Sequence, residues 1–297
     1  MQKTINPSEI KALAIDLDGT SLLPDTNLGD RTVLCLKRLL TGGMQIILCT
    51  GRLIAASRRF YTAIGAQGPM VFCNGAEVAE VLPELKMVSS RLVDLDVIDY
   101  GLDLARSMDV HFQVFFPPQG DPQGGPQGGG LGRMVIEKRR PESEMYEKHT
   151  GITPLVVDIK TLIAEPELQG AIKAMFIAEP ALHDTIRQKM LDRFGSRIYI
   201  VRTFPTFLEV MADGVSKGEG LKIALEYRGI KPEQAIAFGD EENDLPMFSV
   251  AGFSAAPSSA KEKVRQAADF VFGSNAEEGL AVFLEDLFAP VFPANRS

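Results

Sequence analysis

The chain has 297 residues with a formal net charge of −8 at pH 7; 45% of the residues are hydrophobic and 24% charged, which is ordinary for a globular protein with room for two domains. The acidic balance argues against nucleic acids and membranes as partners, and three scattered histidines disfavour a zinc cluster or a triad centred on histidine. Three cysteines lie inside apolar patterns, the first eleven residues are polar, and no apolar run approaches transmembrane length, so we expect a cytoplasmic protein with free thiols.

The first part of the sequence alternates short apolar runs with helical patterns. The apolar runs predict strands, and the stretches between them predict helices. In chain order these are a strand at 12–15, a helix at 30–40, a strand at 44–49, a helix at 53–64 and a strand at 70–73. Such an alternation predicts a parallel sheet covered by helices on both faces. Ligands bind such sheets beyond the carboxyl ends of the strands, which directs attention to the residues that follow each apolar run.

Two carboxylates follow the first apolar run, in the motif Asp16-Leu17-Asp18-Gly19-Thr20. Carboxylates next to an apolar layer are tolerated when a cation lies between them or water reaches them. Glycine after the second carboxylate lets the backbone turn and bring both side chains to one site. The arrangement suits a nucleophile and a proton carrier that act on one small charged group. The alternative is a polar strand exit without chemistry.

Three further motifs follow apolar runs or open helical patterns. They are Thr50-Gly51-Arg52, Val215-Ser216-Lys217-Gly218 and Gly239-Asp240-Glu241-Glu242-Asn243-Asp244. A hydroxyl and free backbone amides at a helix start form an anion site, and a lysine between small residues can reach a phosphate. Each motif alone has a structural explanation as well. Together, carboxylates, a hydroxyl and an ammonium at strand ends and helix starts indicate a site for phosphoryl transfer.

The middle of the chain differs in its pattern and carries no catalytic constellation. It predicts a helix at 97–107, strands at 111–116 and 173–178, a helix at 182–194 and a strand at 197–201. The core pattern resumes with a strand at 207–211 and continues with a helix at 219–227, a strand at 235–238 and a helix at 277–288. We therefore expect a core domain of residues 1–86 and 206–297, interrupted by an inserted domain of residues 87–205.

One stretch of low complexity, residues 119–132, repeats Pro-Gln-Gly within the inserted domain. It has no glycine at every third position, as collagen requires, and almost no apolar side chain. We expect a flexible surface loop, because ordering such a segment costs backbone entropy with little burial to offset it. The alternative is a lid that orders when substrate binds.

These motifs, in this order, resemble the haloacid dehalogenase (HAD) superfamily of phosphatases, and within it the Cof-type group of class IIB with a large α/β cap. The resemblance also includes Asn74-Gly75-Ala76 and spans nearly the whole chain. It implies an α/β fold: a Rossmann-like, doubly wound parallel sheet with an inserted α/β cap that selects the substrate. The motif set is specific for the superfamily and much less specific for a substrate.

The resemblance further implies Mg²⁺-dependent hydrolysis of a phosphomonoester through a phospho-aspartate. Asp16 is then the nucleophile, and Asp18 protonates the leaving group and later activates water. Mg²⁺ is held by the Asp16 carboxylate, the Asp18 backbone carbonyl and the Asp240 carboxylate. The phosphoryl oxygens are held by Thr50, Lys217, Asn243 and the backbone amides of Leu17 and Gly51. Asp244 orients Lys217 or metal-bound water.

Other functions stay open at this point. A phosphomutase uses the same aspartyl chemistry and returns the phosphate to the sugar. A phosphatase of flavin nucleotides or of pyridoxal phosphate would differ from a sugar phosphatase only in the inserted domain. A phospho-ligand binding protein without catalysis is the third alternative, which the Asp16 and Asp18 pair disfavours. The sequence fixes neither the physiological substrate, a small phosphorylated metabolite, nor the oligomeric state.

Overall fold

The computed structural model describes residues 4–117 and 132–289, so the stretch predicted as a loop at 119–132 lies outside the described residues except for Gly132. In the described ranges the strands are β1 (Ala12–Ile15), β2 (Gln45–Leu48), β3 (Pro69–Phe72), β4 (Glu77–Glu80), β5 (Lys86–Ser90), β6 (His111–Phe116), β7 (Arg133–Ile136), β8 (Leu155–Val156), β9 (Lys173–Ile177), β10 (Ile198–Phe204), β11 (Phe207–Ala212), β12 (Ala235–Phe238), β13 (Phe253–Pro257) and β14 (Phe270–Phe272). The helices are α1 (Asp30–Thr41), α2 (Ile54–Ile64), α3 (Leu95–Met108), α4 (Pro141–Thr150), α5 (Ile159–Ile163), α6 (Pro180–Phe194), α7 (Lys217–Arg228), α8 (Leu245–Val250), α9 (Glu262–Ala267) and α10 (Gly279–Phe288).

The chain divides into two compact units. The first unit comprises Met1–Arg52, Ser57–Ser89 and Ser216–Ser297, and the second comprises Leu53–Ala56 and Ser90–Val215. The division between the units therefore falls at 89/90 and 215/216, where the sequence placed domain boundaries at 86/87 and 205/206.

The first unit is built around a parallel sheet. Among the described residues five strands form it in the order β14-β13-β12-β1-β2, so β1 lies in the middle with β12 and β2 on either side. The side chains of β1 and β12 are fully buried, because helices cover both faces of the sheet. One face packs on apolar residues of α7, α8 and α9, such as Leu221, Met247 and Val264. This confirms the predicted parallel sheet and brings the carboxyl ends of β1, β2 and β12 together.

Strand β3 is attached to this sheet less fully than the sequence predicts. It pairs antiparallel with β4, and a single parallel bridge between Cys49 and Val71 connects it to the end of β2. The turn between β3 and β4 has positive φ angles at Asn74 (58°) and Gly75 (98°). A Cβ atom on Gly75 would lie 2.0 Å from the Ser216 carbonyl oxygen, so this close approach requires glycine.

The second unit contains a mainly antiparallel sheet. Within the described ranges its six strands follow the order β10-β11-β9-β6-β7-β8, and β7 and β8 form a parallel pair. The prediction that 207–211 returns to the core is wrong, because β11 pairs antiparallel with β10 and with β9. A fully buried apolar strand has the same sequence pattern in either sheet, so only its partners distinguish the two. Lys173 and Glu209 form a buried ion pair of 2.7 Å on adjacent strands of this sheet.

Glu77 is an unexpected carboxyl group in the interior of the first unit. It begins β4, is 1% exposed, and its Oε1 has no hydrogen-bond partner among the described residues. Its backbone lies opposite Phe72, which packs edge-on against Tyr61. Burial in these surroundings raises the pKa of Glu77 to about 8, so the carboxyl group is mostly protonated at neutral pH.

We expect Glu77→Gln to stabilise the protein increasingly as the pH rises. Burial raises the pKa of Glu77 from the ordinary value of 4.5 to about 8. The folded protein therefore loses stability relative to the unfolded chain as the pH rises from 4.5 to 8. Glutamine does not ionise, so its advantage grows by about 1.4 kcal/mol per pH unit in that window. Thermal unfolding from pH 5 to pH 9 measures it. Glu80→Gln, on the same strand and in contact with the Tyr227 hydroxyl, is the control. A pH-independent difference for Glu77→Gln would contradict the expectation.

Candidate active site

The loop after β1 places Asp16 in the interior at the carboxyl end of the parallel sheet. Asp16 is 4% exposed, and its backbone oxygen accepts a hydrogen bond of 2.7 Å from the Ser21 hydroxyl. Gly19 has a φ of 81°, and a Cβ atom there would lie 2.2 Å from Oδ2 of Asp240. Glycine is therefore required both by the backbone conformation and by the close approach of this loop to the end of β12.

Lys217 connects the carboxylates at the ends of β1 and β12. Its Nζ lies 2.5 Å from Oδ1 of Asp16 and 2.6 Å from Oδ1 of Asp244, and the side chain is 2% exposed. Lys217 is the first residue of α7, and the Ser216 hydroxyl caps that helix by accepting from the Glu219 amide. The cap fixes the start of α7 and with it the point from which Lys217 extends.

The Asp244 carboxylate also organises the backbone after β12. Its Oδ2 accepts hydrogen bonds from the amides of Asp240 (2.9 Å) and Glu241 (3.0 Å), while its Oδ1 binds Lys217. The Thr20 hydroxyl donates to Oδ1 of Asp240 at 2.7 Å. Both carboxylate oxygens of Asp244 therefore accept hydrogen bonds, and so does Oδ1 of Asp240.

The site holds more carboxyl groups than cationic groups. Burial raises the pKa of Asp16 well above its ordinary value, although the Lys217 ammonium opposes this shift. Burial, followed by the neighbouring Asp244 carboxylate, raises the pKa of Asp240 to about 7. Burial alone would lower the pKa of Lys217, but the Asp16 and Asp244 carboxylates reverse this and raise it, so Lys217 stays protonated. One ammonium therefore faces three carboxyl groups, and a further cation would favour their ionised forms.

The carboxylate cluster fits a divalent metal ion. Asp16, Asp240 and Asp244 each offer an oxygen, and these atoms lie within 4.8 Å of one another. Oδ2 of Asp16 and Oδ2 of Asp240 accept no hydrogen bond from the described part of the chain, whereas both oxygens of Asp244 do. Carboxylate oxygens are the ligands that hard cations such as Mg²⁺ prefer. Asp16 and Asp240 are thus better placed than Asp244 to bind a metal directly.

A second group of polar side chains lies at the end of β2. The Thr50 hydroxyl accepts from the Arg52 amide at 3.1 Å, and the Thr50 carbonyl accepts from the Asn74 amide at 3.0 Å. Asn243 donates through Nδ2 to Oδ1 of Asn74 at 2.9 Å, and its own buried Oδ1 has no partner among the described residues. A Cβ atom on Gly51 would lie 3.1 Å from Oδ1 of Asn74, so the two segments are closely packed.

Asp18 differs from the other predicted site residues because it is exposed. Its side chain is 50% exposed and accepts two parallel hydrogen bonds from the Arg52 guanidinium, at 2.7 Å from Nε to Oδ2 and 2.5 Å from Nη2 to Oδ1. Asp18 also contributes to raising the pKa of Asp16, so the two carboxylates are electrostatic neighbours. Leu17, between them in sequence, has a fully buried side chain.

The structure thus brings Asp16, Lys217 and Asp244 into direct contact, with Asp240 beside them, and it joins Asn243 to the Thr50-Gly51 segment through Asn74. Sequence reasoning assigned no role to four residues that form hydrogen bonds with the predicted site residues: Thr20, Ser21, Arg52 and Asn74. Three of them stood within motifs that the sequence had singled out, and the hydroxyl of Ser21 directly follows the first of these motifs.

A family model for haloacid dehalogenase-like hydrolases matches residues 13–284. The chain belongs to this family. A 5-amino-6-(5-phospho-D-ribitylamino)uracil phosphatase of Bacillus subtilis is 27% identical over 93% of this chain and 97% of its own length. A putative phosphatase of Haemophilus influenzae is 31% identical over 94% of this chain and 97% of its own. These relatives confirm that the HAD-like chain is a phosphatase enzyme.

The fold comparison agrees with the family assignment. The crystal structure of a haloacid dehalogenase-like hydrolase from Bacteroides thetaiotaomicron has a TM-score of 0.82 and 23% identity, covering 94% of this chain and all of the other. The resemblance predicted from the motifs, to Cof-type HAD hydrolases with an α/β fold, is therefore confirmed. Among the residues that the structure describes, no helix of this HAD hydrolase combines the length and the apolar character needed to cross a membrane.

Proposed function

We propose that this phosphatase hydrolyses a small phosphorylated metabolite in a Mg²⁺-dependent reaction with a phospho-aspartate on Asp16. The observation that carries the proposal is the buried contact of Lys217 with both Asp16 and Asp244, next to Asp240. Such a group suits a dianionic phosphate only if a metal ion offsets the carboxylates. The reaction class follows from the family, and the proposed residue roles are those that the motif resemblance implies.

Asp16 and Asp240 would hold the metal through their carboxylates, together with the Asp18 backbone carbonyl. When bound, Mg²⁺ would neutralise the carboxylates and polarise the phosphoryl group. The Gly19 turn supports this assignment, since it presses the backbone of the Asp16–Asp18 loop against Asp240. Asp244, with both oxygens engaged, orients Lys217 and the backbone amides of Asp240 and Glu241.

In the first step Asp16 attacks phosphorus, the bond from phosphorus to the ester oxygen breaks, and an acyl phosphate forms. Asp18 gives its proton to the departing alkoxide. In the second step Asp18, now a carboxylate, takes a proton from a water molecule that attacks the same phosphorus. The bond to Asp16 breaks and inorganic phosphate leaves. A phosphomutase would instead return the phosphoryl group to an organic acceptor.

The remaining site residues would bind the phosphoryl oxygens. Lys217 supplies a charge, and Thr50, Asn243 and the amides of Leu17 and Gly51 supply donors. Their rigidity supports this role: Thr50 is fully buried, and Asn243 is tied to Asn74. The transition state of phosphoryl transfer is highly charged. Positioned donors and charges therefore account for most of the rate enhancement over the uncatalysed reaction.

The second unit, which contains most of the inserted region 87–205, would act as the cap that selects the substrate. By its name, the Bacillus relative acts on a phosphorylated ribitylaminouracil. A panel of that compound, sugar phosphates, nucleotides including flavin mononucleotide, and pyridoxal phosphate tests the substrate class. Release of inorganic phosphate supports hydrolysis, and accumulation of an isomer would indicate a mutase. Binding without turnover across the panel would indicate a silent ligand-binding protein.

Metal removal should abolish activity. We expect EDTA-treated protein to be inactive and Mg²⁺ to restore turnover. Excess Ca²⁺ should inhibit, because Ca²⁺ binds more ligands than Mg²⁺ and at longer distances, about 2.3–2.6 Å instead of about 2.0–2.1 Å. Asp240→Asn should need a much higher Mg²⁺ concentration for half-maximal activity. Glu242→Gln, an exposed carboxylate paired with Lys263, is the matched control and should leave this concentration unchanged. Full activity after EDTA treatment would contradict the proposed metal requirement.

A further inference from the structure

Arg52 ends a motif whose first two residues are assigned to phosphate binding. Within the described part of the chain, however, Asp16 and Lys217 form no hydrogen bond or ion pair with its guanidinium. It forms a two-point contact with Asp18 instead, with both hydrogen bonds parallel and short. A planar guanidinium and a carboxylate joined in this way fix each other's orientation as well as their distance. The geometry thus restrains an exposed side chain that would otherwise rotate freely.

Arg52 is itself held from several sides. Its side chain is only 12% exposed, and its guanidinium lies over the Phe60 ring, 5.4 Å from the centroid. Its backbone amide donates to the Thr50 hydroxyl, and its carbonyl accepts from the Cys73 amide at 3.0 Å. Arg52 is therefore a fixed partner, and Asp18, half exposed on its loop, is the side chain that gains order from the contact.

We propose that Arg52 is a positioning residue for Asp18. It holds the Asp18 carboxyl group in the orientation needed to pass a proton to the leaving oxygen and, later, to accept one from water. The inference rests on the proposed function, in which Asp18 is the proton carrier. It gives the three residues of the Thr50-Gly51-Arg52 motif two tasks: phosphate binding by the first two and orientation of Asp18 by the third.

The leaving group distinguishes this role from direct substrate binding. An alkyl phosphate releases a strongly basic alkoxide and needs protonation, whereas p-nitrophenyl phosphate releases an anion that is stable without a proton. The ratio kcat/KM reports the first chemical step and excludes the later hydrolysis of the phospho-aspartate. A residue that acts through Asp18 should therefore affect kcat/KM for the alkyl ester alone, and a residue that binds phosphate should affect both esters.

The experiment compares kcat/KM of the wild type and five variants on p-nitrophenyl phosphate and on the best alkyl phosphate of the panel. For Arg52→Gln we expect a fall of about 10–100-fold on the alkyl ester and less than about threefold on the nitrophenyl ester. Arg52→Lys, which retains charge but not the two-point contact, should lie between Arg52→Gln and the wild type. Asp18→Asn combined with Arg52→Gln should equal Asp18→Asn alone, because the Asp18 carboxylate, on which the proposed role of Arg52 depends, is already absent.

Arg59→Gln is the matched control, since the Arg59 guanidinium lies over the same Phe60 ring, 4.6 Å from its centroid, but donates to the Thr26 carbonyl. Its kinetics should equal those of the wild type. An equal loss on both esters for Arg52→Gln, or a further loss in the double variant, would overturn the positioning role while leaving the proposed function intact. Equal effects of Asp18→Asn on both esters would overturn the proton-carrier role of Asp18 and this inference with it.

Discussion

Replacing Asp16 with Asn is expected to reduce turnover by on the order of 10⁴-fold or more, because an amide cannot form the acyl phosphate. The fold should persist, since Lys217 keeps Asp244 as a partner at 2.6 Å and asparagine fills the same space. Steady-state kinetics with Mg²⁺ on the best panel substrate measures the loss. Thermal unfolding of the same preparation shows whether the protein is folded.

Asp25→Asn is the matched control for this substitution. Asp25 lies on the same segment, is exposed, and accepts from the Asn27 amide through an oxygen that asparagine retains. We expect its activity and unfolding temperature to match those of the wild type. Substantial turnover by folded Asp16→Asn would show that the nucleophile is another group.

Replacing Lys217 with Met is expected to destabilise the first unit and remove most activity. Lys217 is the ammonium that contacts two buried carboxylates, and removing one partner of a buried ion pair costs about 3–5 kcal/mol. At about 2–4 °C per kcal/mol, the melting temperature should fall by roughly 10 °C. Loss of its charge near the transferred phosphoryl group should cost about 10²–10³-fold in kcat. Calorimetry and steady-state kinetics measure the two effects.

The stability loss of Lys217→Met should depend on pH. The pKa values of Asp16 and Asp240 are raised in the fold, that of Asp240 from 3.8 to about 7, and Lys217 lowers both of them. Without Lys217 they rise further. Asp240 therefore ionises in the wild type as the pH passes about 7 but stays protonated in the variant, so the stability difference between the two proteins grows above that pH. We expect a larger difference from the wild type at pH 8 than at pH 5.5. Lys222→Met, an exposed residue of the same helix paired with Glu219, should change little at either pH. A difference that shrinks with rising pH would contradict this account.

The position of the site was predictable because it depends on topology. Parallel strands place their carboxyl ends at one edge, so polar motifs after apolar runs must meet there. The contacts of Asp16 with Lys217, across 201 positions of sequence, follow from that rule. Predicted strand and helix limits in the first 73 residues lie within one residue of those observed, because Gly42-Gly43 and the polar motifs mark the element ends.

Features that depend on partners were not predictable. The strand at 207–211 is buried and apolar except for Glu209, and nothing in that pattern shows that its neighbours are β9 and β10. Glu77 is buried although an isolated carboxyl group normally avoids the interior. Its place in the β3–β4 hairpin, opposite Phe72, puts it there, and the residue type alone predicts an exposed position. The contact of Arg52 with Asp18 needed the side-chain geometry, since a basic residue after Thr50-Gly51 equally suits a phosphate contact.

The central claim is that Asp16 carries the phosphoryl group, and trapping that intermediate tests it most directly. Asp18→Asn should slow hydrolysis of the phospho-aspartate, so protein mixed with ³²P-labelled substrate and quenched in acid should retain label. The account predicts label that hydroxylamine releases, as expected for an acyl phosphate, on the peptide containing Asp16, and none in the Asp16→Asn, Asp18→Asn double variant. Release of labelled inorganic phosphate without bound label in a single turnover, or label on another residue, would contradict it.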